Sequence, residues 1–368
     1  MQPTSQGLLR DRLAEWFPLV PRPRPFCRSL AHRVEEIQQL AQSAQDGPAE
    51  TRIYSAAEGH NKAALLLSDC GLDTLAHRLC WQQFDLFHAA RPLTLRSAKL
   101  ALQPVVNLGR LLIRTGHHDR AHEVFQNLFA AVRDQTTTML DGRAIDFSHF
   151  VDQPEHFKEI GQFLWAVLLA DGTRALTKAG RWHDALHHLQ KHKGIGKRML
   201  DGRQVAILER YSAGDHGAAL DLLDDCAIPD PWERAVATFL RALCTTTPPA
   251  EVSLTGVVDG FLNLGPTPGH PVFRIRLCLC VLDLAPESKA SQLASWITRE
   301  ALTSMDAYAV RDVLSHHRCC SNMSEADRTA LAAIEQESGL NRGTMPAQLL
   351  DALMAAVRTS EAQLVIGQ

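Results

Sequence analysis

Along most of the chain, apolar residues recur three and four positions apart, the period of an amphipathic helix, and short polar turns carrying Gly or Pro cut the runs. This pattern predicts helices over 51–69, 72–89, 94–115, 119–134, 155–179, 183–191, 203–213 and 217–226. A short amphipathic helix is expected over 7–17 and another over 27–45. Between them Val20-Pro-Arg-Pro-Arg-Pro25 breaks the helix, because each Pro removes a donor and disfavours a helical residue before it. With Arg28 and Arg33 nearby, that stretch reads as a solvated basic linker or as a basic contact surface. Pro104 should kink or break the helix that contains it.

Residues 136–151 lack a helical period, and the stretch ends at Pro154. Alternation of Ile145 and Phe147 within it fits a short extended segment or hairpin. After Pro229-Asp-Pro231 helices continue over 232–245, 254–264, 272–284, 288–302, 306–317, 324–338 and 346–360, bounded by Pro- and Gly-rich turns. Runs of β-branched residues at strand spacing are missing, so no parallel sheet is expected.

Within the helical pattern one unit recurs. Between Asn107 and Phe125, Gly109 is small where a neighbouring helix must come close, Gly116 stops the first helix, Ala121 is small at a crossing and Phe125 fills the core. Gly180 with Ala185 and Leu189, and Gly214 with Ala219 and Leu223, repeat the turn Gly, the Ala five residues on and the apolar residue four beyond. Those two glycines are 34 residues apart. A weaker copy is Gly71 with Ala76, Cys80 and Phe84. The steps from Gly71 to Gly116 and on to Gly180 are 45 and 64 residues, so the array is irregular and carries an insertion.

This pattern resembles the tetratricopeptide repeat, which also pairs a Leu-Gly in its first helix with a turn Gly, a crossing Ala and a following aromatic, at a 34-residue period. The resemblance implies an all-α fold, a right-handed superhelix of antiparallel helix pairs. Helical repeats would occupy 51–228, with an insertion near 135–154, behind N-terminal helices and a Pro/Arg linker over 1–50. Residues 229–368 either continue the solenoid in degenerate form or cap it as a bundle.

The family binds proteins or peptides along an inner face built by the first helix of each pair. Asn and basic side chains on that face hold the carboxylates of an acidic C-terminal peptide. By resemblance the equivalents are Asn61 with Lys62, Asn107 with Arg110 and Arg114, and Arg174 with Lys178. Leu208 and Tyr211 depart from the pattern, which implies a mixed pocket, basic at Arg110 and Arg174 and apolar near Tyr211. Guanidinium groups suit such a site because they grip a carboxylate with two parallel hydrogen bonds.

Composition narrows the partners. The 368-residue chain carries a net charge of −3 with both signs mixed, which disfavours a nucleic-acid partner needing a concentrated basic face. No run approaches the roughly 20 apolar residues of a membrane span, and the first residues do not read as a secretory signal. Nine scattered cysteines fit a reduced, cytoplasmic protein, and the abundance of Arg fits a GC-rich bacterial genome.

Chemistry beyond binding is thin in the sequence. His118 with His122, His183 with His187, and His188 with His192 each sit four apart, a spacing that can bind zinc, but third ligands and a His-Glu-x-x-His motif are missing. No metal site or cofactor is expected, and no nucleophile elbow or phosphate loop appears. Met-Leu-Asp-Gly-Arg occurs twice, at Asp141 and at Asp201, as matching turns that grip a ligand or as ordinary Asp-Gly turn chemistry. The reading that follows is a peptide-binding scaffold with a basic groove. Two alternatives stand beside it: a ligand-responsive regulator without its own DNA-binding domain, and an accessory or catalytic protein of bacterial specialised metabolism.

Overall fold

Helix dominates the computed structural model, which describes residues 13–245 and 270–366. The helix expected over 254–264, and most of that over 7–17, lie outside the described residues. Those described gather into two compact units, each discontinuous in sequence: 29–175 with 339–366, and 13–28 with 176–245 and 270–338. The stretch 51–228 expected to form one array is therefore divided between them.

The unit containing residues 29–175 starts with α1 (Leu30–Asp46), α2 (Ala49–Asp69), α3 (Asp73–Ala89), α4 (Leu95–Arg114) and α5 (His118–Asp134). Strands β1 (Thr137–Leu140) and β2 (Arg143–Asp146) follow. Helix α6 (Pro154–Val167) passes through a π-helical turn, Leu168–Gly172, into α7 (Thr173–Lys178). Each of α1 to α5 packs on the next helix, α6 packs on the π-helical turn, and the last described helix, α17 (Ala347–Ile366), packs on α1 and α2. Their shared core includes Val34, Leu66, Phe84, Phe87, Leu102, Phe125 and Leu353.

Helix α4 corrects the expectation of a break at Pro104. It runs unbroken through Pro104, which is buried between buried Leu100 and Leu108. Packing of that apolar face outweighs the backbone hydrogen bond that Pro removes.

In the second unit, residues 13–16 are helical and lead into a non-helical segment up to Ser29. The unit continues with α8 (Trp182–Lys191), α9 (Asp201–Ser212), α10 (His216–Asp224), α11 (Pro231–Thr245), α12 (Pro271–Leu284) and α13 (Glu287–Ser304). It closes with α14 (Ala307–Leu314), α15 (His317–Ser321) and α16 (Glu325–Ser338). The single helix expected over 306–317 is two, because His316 leaves the helix and accepts the Cys319 N–H at its ring Nδ1, 3.3 Å away, starting a new turn.

Four helix connections share one backbone geometry. Gly71, Gly116, Gly180 and Gly214 adopt φ of 79°, 81°, 72° and 80°, the left-handed region open to glycine. In each, the N–H following the glycine reaches back to a carbonyl five residues earlier: Leu72 to Leu67, His117 to Leu112, Arg181 to Leu176 and Asp215 to Arg210, at 2.8–3.0 Å. Ala76, Ala121, Ala185 and Ala219, five residues after each glycine, are fully buried. The copy weakest in sequence, Gly71, has the same turn as the others.

The insertion is an antiparallel hairpin pairing Thr137 with Asp146 and Leu140 with Arg143. Asp141 and Gly142 both have positive φ, the two-residue turn that matches strand twist. Asp141 accepts hydrogen bonds from His77 at 2.5 Å and Arg120 at 2.8 Å, and Arg143 reaches Asp85 at 2.8 Å while lying over the Trp81 ring. These contacts tie the hairpin to α3 and α5. The second Asp-Gly-Arg is different: Asp201 opens α9, and a Cβ on Gly202 would lie 2.1 Å from the Gly194 carbonyl oxygen. One tripeptide thus serves a turn and a helix start.

Candidate functional site

In the unit of residues 29–175, α2 and α4 lead successive hairpins and touch each other, and α4 also touches α6. Side chains on these leading helices meet in a row. The Asn107 amide donates to Asn61 Oδ1 at 2.6 Å, and its own oxygen accepts from Arg110 Nη1 at 3.3 Å. Arg110 then grips Asp171 Oδ2 through Nε at 3.1 Å and Nη2 at 2.8 Å. Asp171 lies in the π-helical turn. The row Asn61–Asn107–Arg110–Asp171 is continuous.

The structure thus brings together Asn61, Asn107 and Arg110, and it gives the nearby basic residues carboxylate partners. Lys62 pairs with Glu58 at 3.1 Å, one turn back on α2. Arg114 donates to Ser68 and to Asp69, both at 2.7 Å. Asp69 also takes Arg33, and its side chain is 1% exposed. Arg174 lies half-buried on α7. The surface around the row is therefore charge-paired, with Arg110, 53% exposed, at its most open point.

Lys178 and Tyr211 belong to the other unit. Lys178 Nζ donates to the backbone oxygen of Glu15 at 2.7 Å. Tyr211 is half-buried against the ring of His216, and burial raises its phenol pKa above the ordinary value. Leu208 is buried in the core.

Glu15 belongs to a feature that the sequence pattern did not bring out. Residues 13–28 thread across five helices of their unit. Beyond the Lys178 contact on α7, Leu19 exchanges two hydrogen bonds with the Gln204 amide on α9, at 2.7 and 2.8 Å. The ring of Phe17 stacks on Phe239 of α11, 5.6 Å between centroids, and Arg276 of α12 lies over Trp16. Arg22 pairs with Asp201 at 2.5 Å, Arg24 sits 3.7 Å above the Tyr308 ring of α14, and the Ala307 N–H donates to the Cys27 carbonyl. The Pro/Arg stretch is exposed, as a solvated linker would be, yet both of its arginines have partners. Helices α8 and α10, which follow α7 and α9 in their hairpins, supply none of them.

A polar cleft of about 390 Å³ lies between the end of α3 and the hairpin, lined by Asp85, His88, Arg91, Asp146, Ser148 and His149. His88 donates from Nε2 to the Asp146 carbonyl at 3.0 Å, and burial holds its pKa below the ordinary value, so its ring favours the neutral form. Among the described residues no three His, Cys, Asp or Glu side chains converge as metal ligands would. His188 and His192 come close, ring centroids 4.9 Å apart. No helix among those residues is long and apolar enough to cross a membrane.

Set against protein-family models, curated proteins and solved structures, the chain matches none.

Proposed function

We propose that the protein is a cytoplasmic peptide-binding scaffold whose leading helices receive an extended segment of a partner protein. The observation that carries this reading is the row Asn61–Asn107–Arg110–Asp171, which spans consecutive hairpins on one side of the leading helices. Asn amides can pair with a peptide backbone, donor and acceptor together, and an exposed guanidinium can take a carboxylate. Asp171 acts as a built-in competitor for Arg110, so the favoured partner carries an acidic side chain or C-terminus that replaces it. Within the unit of residues 29–175, the equivalent turns at Gly71 and Gly116 and the Gly109–Phe125 packing support stacking of its hairpins as in a tetratricopeptide-like right-handed superhelix.

The test is fluorescence anisotropy with a library of acidic and C-terminal peptides on the full chain. Binding that weakens at least tenfold in Asn107→Ala with Arg110→Ala, and strengthens in Asp171→Asn, is the expected result. If no peptide binds, or if binding ignores all three substitutions, the reading fails. The His88 cleft favours a second reading, a small-molecule site with a neutral imidazole available as a base, and a metabolite thermal-shift screen read against His88→Gln tests it.

A further inference from the structure

The segment 13–28 is held as a bound peptide would be, and its two halves are held differently. Leu13, Trp16, Phe17 and Leu19 are almost fully buried, and Cys27 is completely so. Between them Arg22, Pro23, Arg24, Pro25 and Phe26 are exposed. Alternating prolines keep this stretch extended, so its arginines stand well apart along the chain. Arg22 and Arg24 use that spacing to reach two different receptors.

The receptors are built for guanidinium. Asp201 offers a carboxylate whose side chain is 12% exposed, in the first turn of α9. Tyr308, 4% exposed, offers the face of its ring, and the buried Asp306 carboxylate beside it adds negative potential toward Arg24. A planar cation that both stacks and donates in a fork satisfies this pair better than an ammonium. The arginines themselves stay near solvent, Arg22 with 42% of its side chain exposed, so these contacts are the easily broken part of the segment.

Resting on the scaffold reading above, we infer that Asp201 and Tyr308 form a recognition site for an extended, proline-flanked Arg-x-Arg segment of a partner protein, which the chain's own Arg22 and Arg24 occupy until that partner arrives. The self-contact sets a threshold. A tethered occupant acts at an effective concentration of about millimolar, so a free segment of equal affinity cannot enter, while a tighter one can.

The experiment uses full-length chains and a fluorescein-labelled synthetic peptide with the sequence of residues 20–26. In Arg22→Ala with Arg24→Ala the site is vacated, and the peptide should bind at least tenfold more tightly than to the unsubstituted chain. Adding Asp201→Asn and Tyr308→Leu, which removes the ring face, or replacing both peptide arginines with lysine, should remove that gain. The Arg22→Lys with Arg24→Lys chain should show an intermediate gain, which guards against misfolding of the alanine variant, as do matching thermal melts. Equal binding to vacated and unsubstituted chains, or binding indifferent to Asp201 and Tyr308, overturns the inference. Its failure separates from that of the scaffold reading: acidic peptides that still bind through Arg110 would leave the latter standing.

Discussion

The ring of Phe125 lies directly on the backbone of Gly109, so close that a Cβ there would sit 2.4 Å from its Cζ and 2.6 Å from Cε1. Helices α4 and α5 approach as they do because this position has no side chain. Gly109→Ala should therefore destabilise by about 1–3 kcal/mol, overpacking outweighing the roughly 1 kcal/mol of helix propensity that Ala brings. Phe125→Leu in the same chain should recover part of the loss. Urea unfolding of the two singles and the double gives the coupling, and strictly additive losses would contradict the contact.

Asp69 joins α1, α2 and α4 through Arg33 and Arg114, and its backbone oxygen accepts the Asn341 N–H at 2.7 Å. Asp69→Asn takes a countercharge from Arg33, which is only 8% exposed. The cost should be about 3 kcal/mol, against less than 1 kcal/mol for Arg143→Gln at the exposed Asp85 pair. Differential scanning calorimetry compares them, and equal losses would remove the distinction.

Burial of Asp306 raises its carboxyl pKa above the ordinary 3.8, although the Tyr308 N–H and the charge of Arg24 pull it down. Between the ordinary and the raised value the folded chain keeps a proton that the unfolded chain has released. Stability contributed there is present at low pH and is lost as pH rises through the folded pKa. Asparagine keeps the N-cap acceptor without the charge. The stability advantage of Asp306→Asn over the unsubstituted chain should grow as pH rises from about 4 and then level off. Melting curves across pH 3.5–7 would show it, and a difference independent of pH would count against it.

How much of this was readable from sequence depended on whether the cause was local. The turns at Gly71, Gly116, Gly180 and Gly214 are fixed within a few residues, so glycine placement revealed them even where the surrounding helices were weakly patterned. The hairpin was half visible, since Ile145 and Phe147 alternate while its Asp141 anchor depends on His77 and Arg120 of distant helices. Helix α4 misled because Pro104 is a local breaker overruled by its neighbours. Arg110 was correctly placed beside Asn107, but its pairing with Asp171 arises in a π-helical turn, which moves that carboxylate off the ordinary helical spacing. The threading of residues 13–28 was invisible: a Pro/Arg stretch has no periodic face, and Gln204 and Tyr308 lie far along the chain.

The exchange of terminal segments between the two units has a consequence for synthesis. Helix α17 covers α1 and α2, yet it follows them by roughly 300 residues, about 15–60 seconds of translation at 5–20 residues per second. Through that interval the nascent chain exposes an apolar helical flank that the later-made α17 is destined to shield. A ribosome-associated chaperone or slow local folding is what would keep that flank from sticking to other chains.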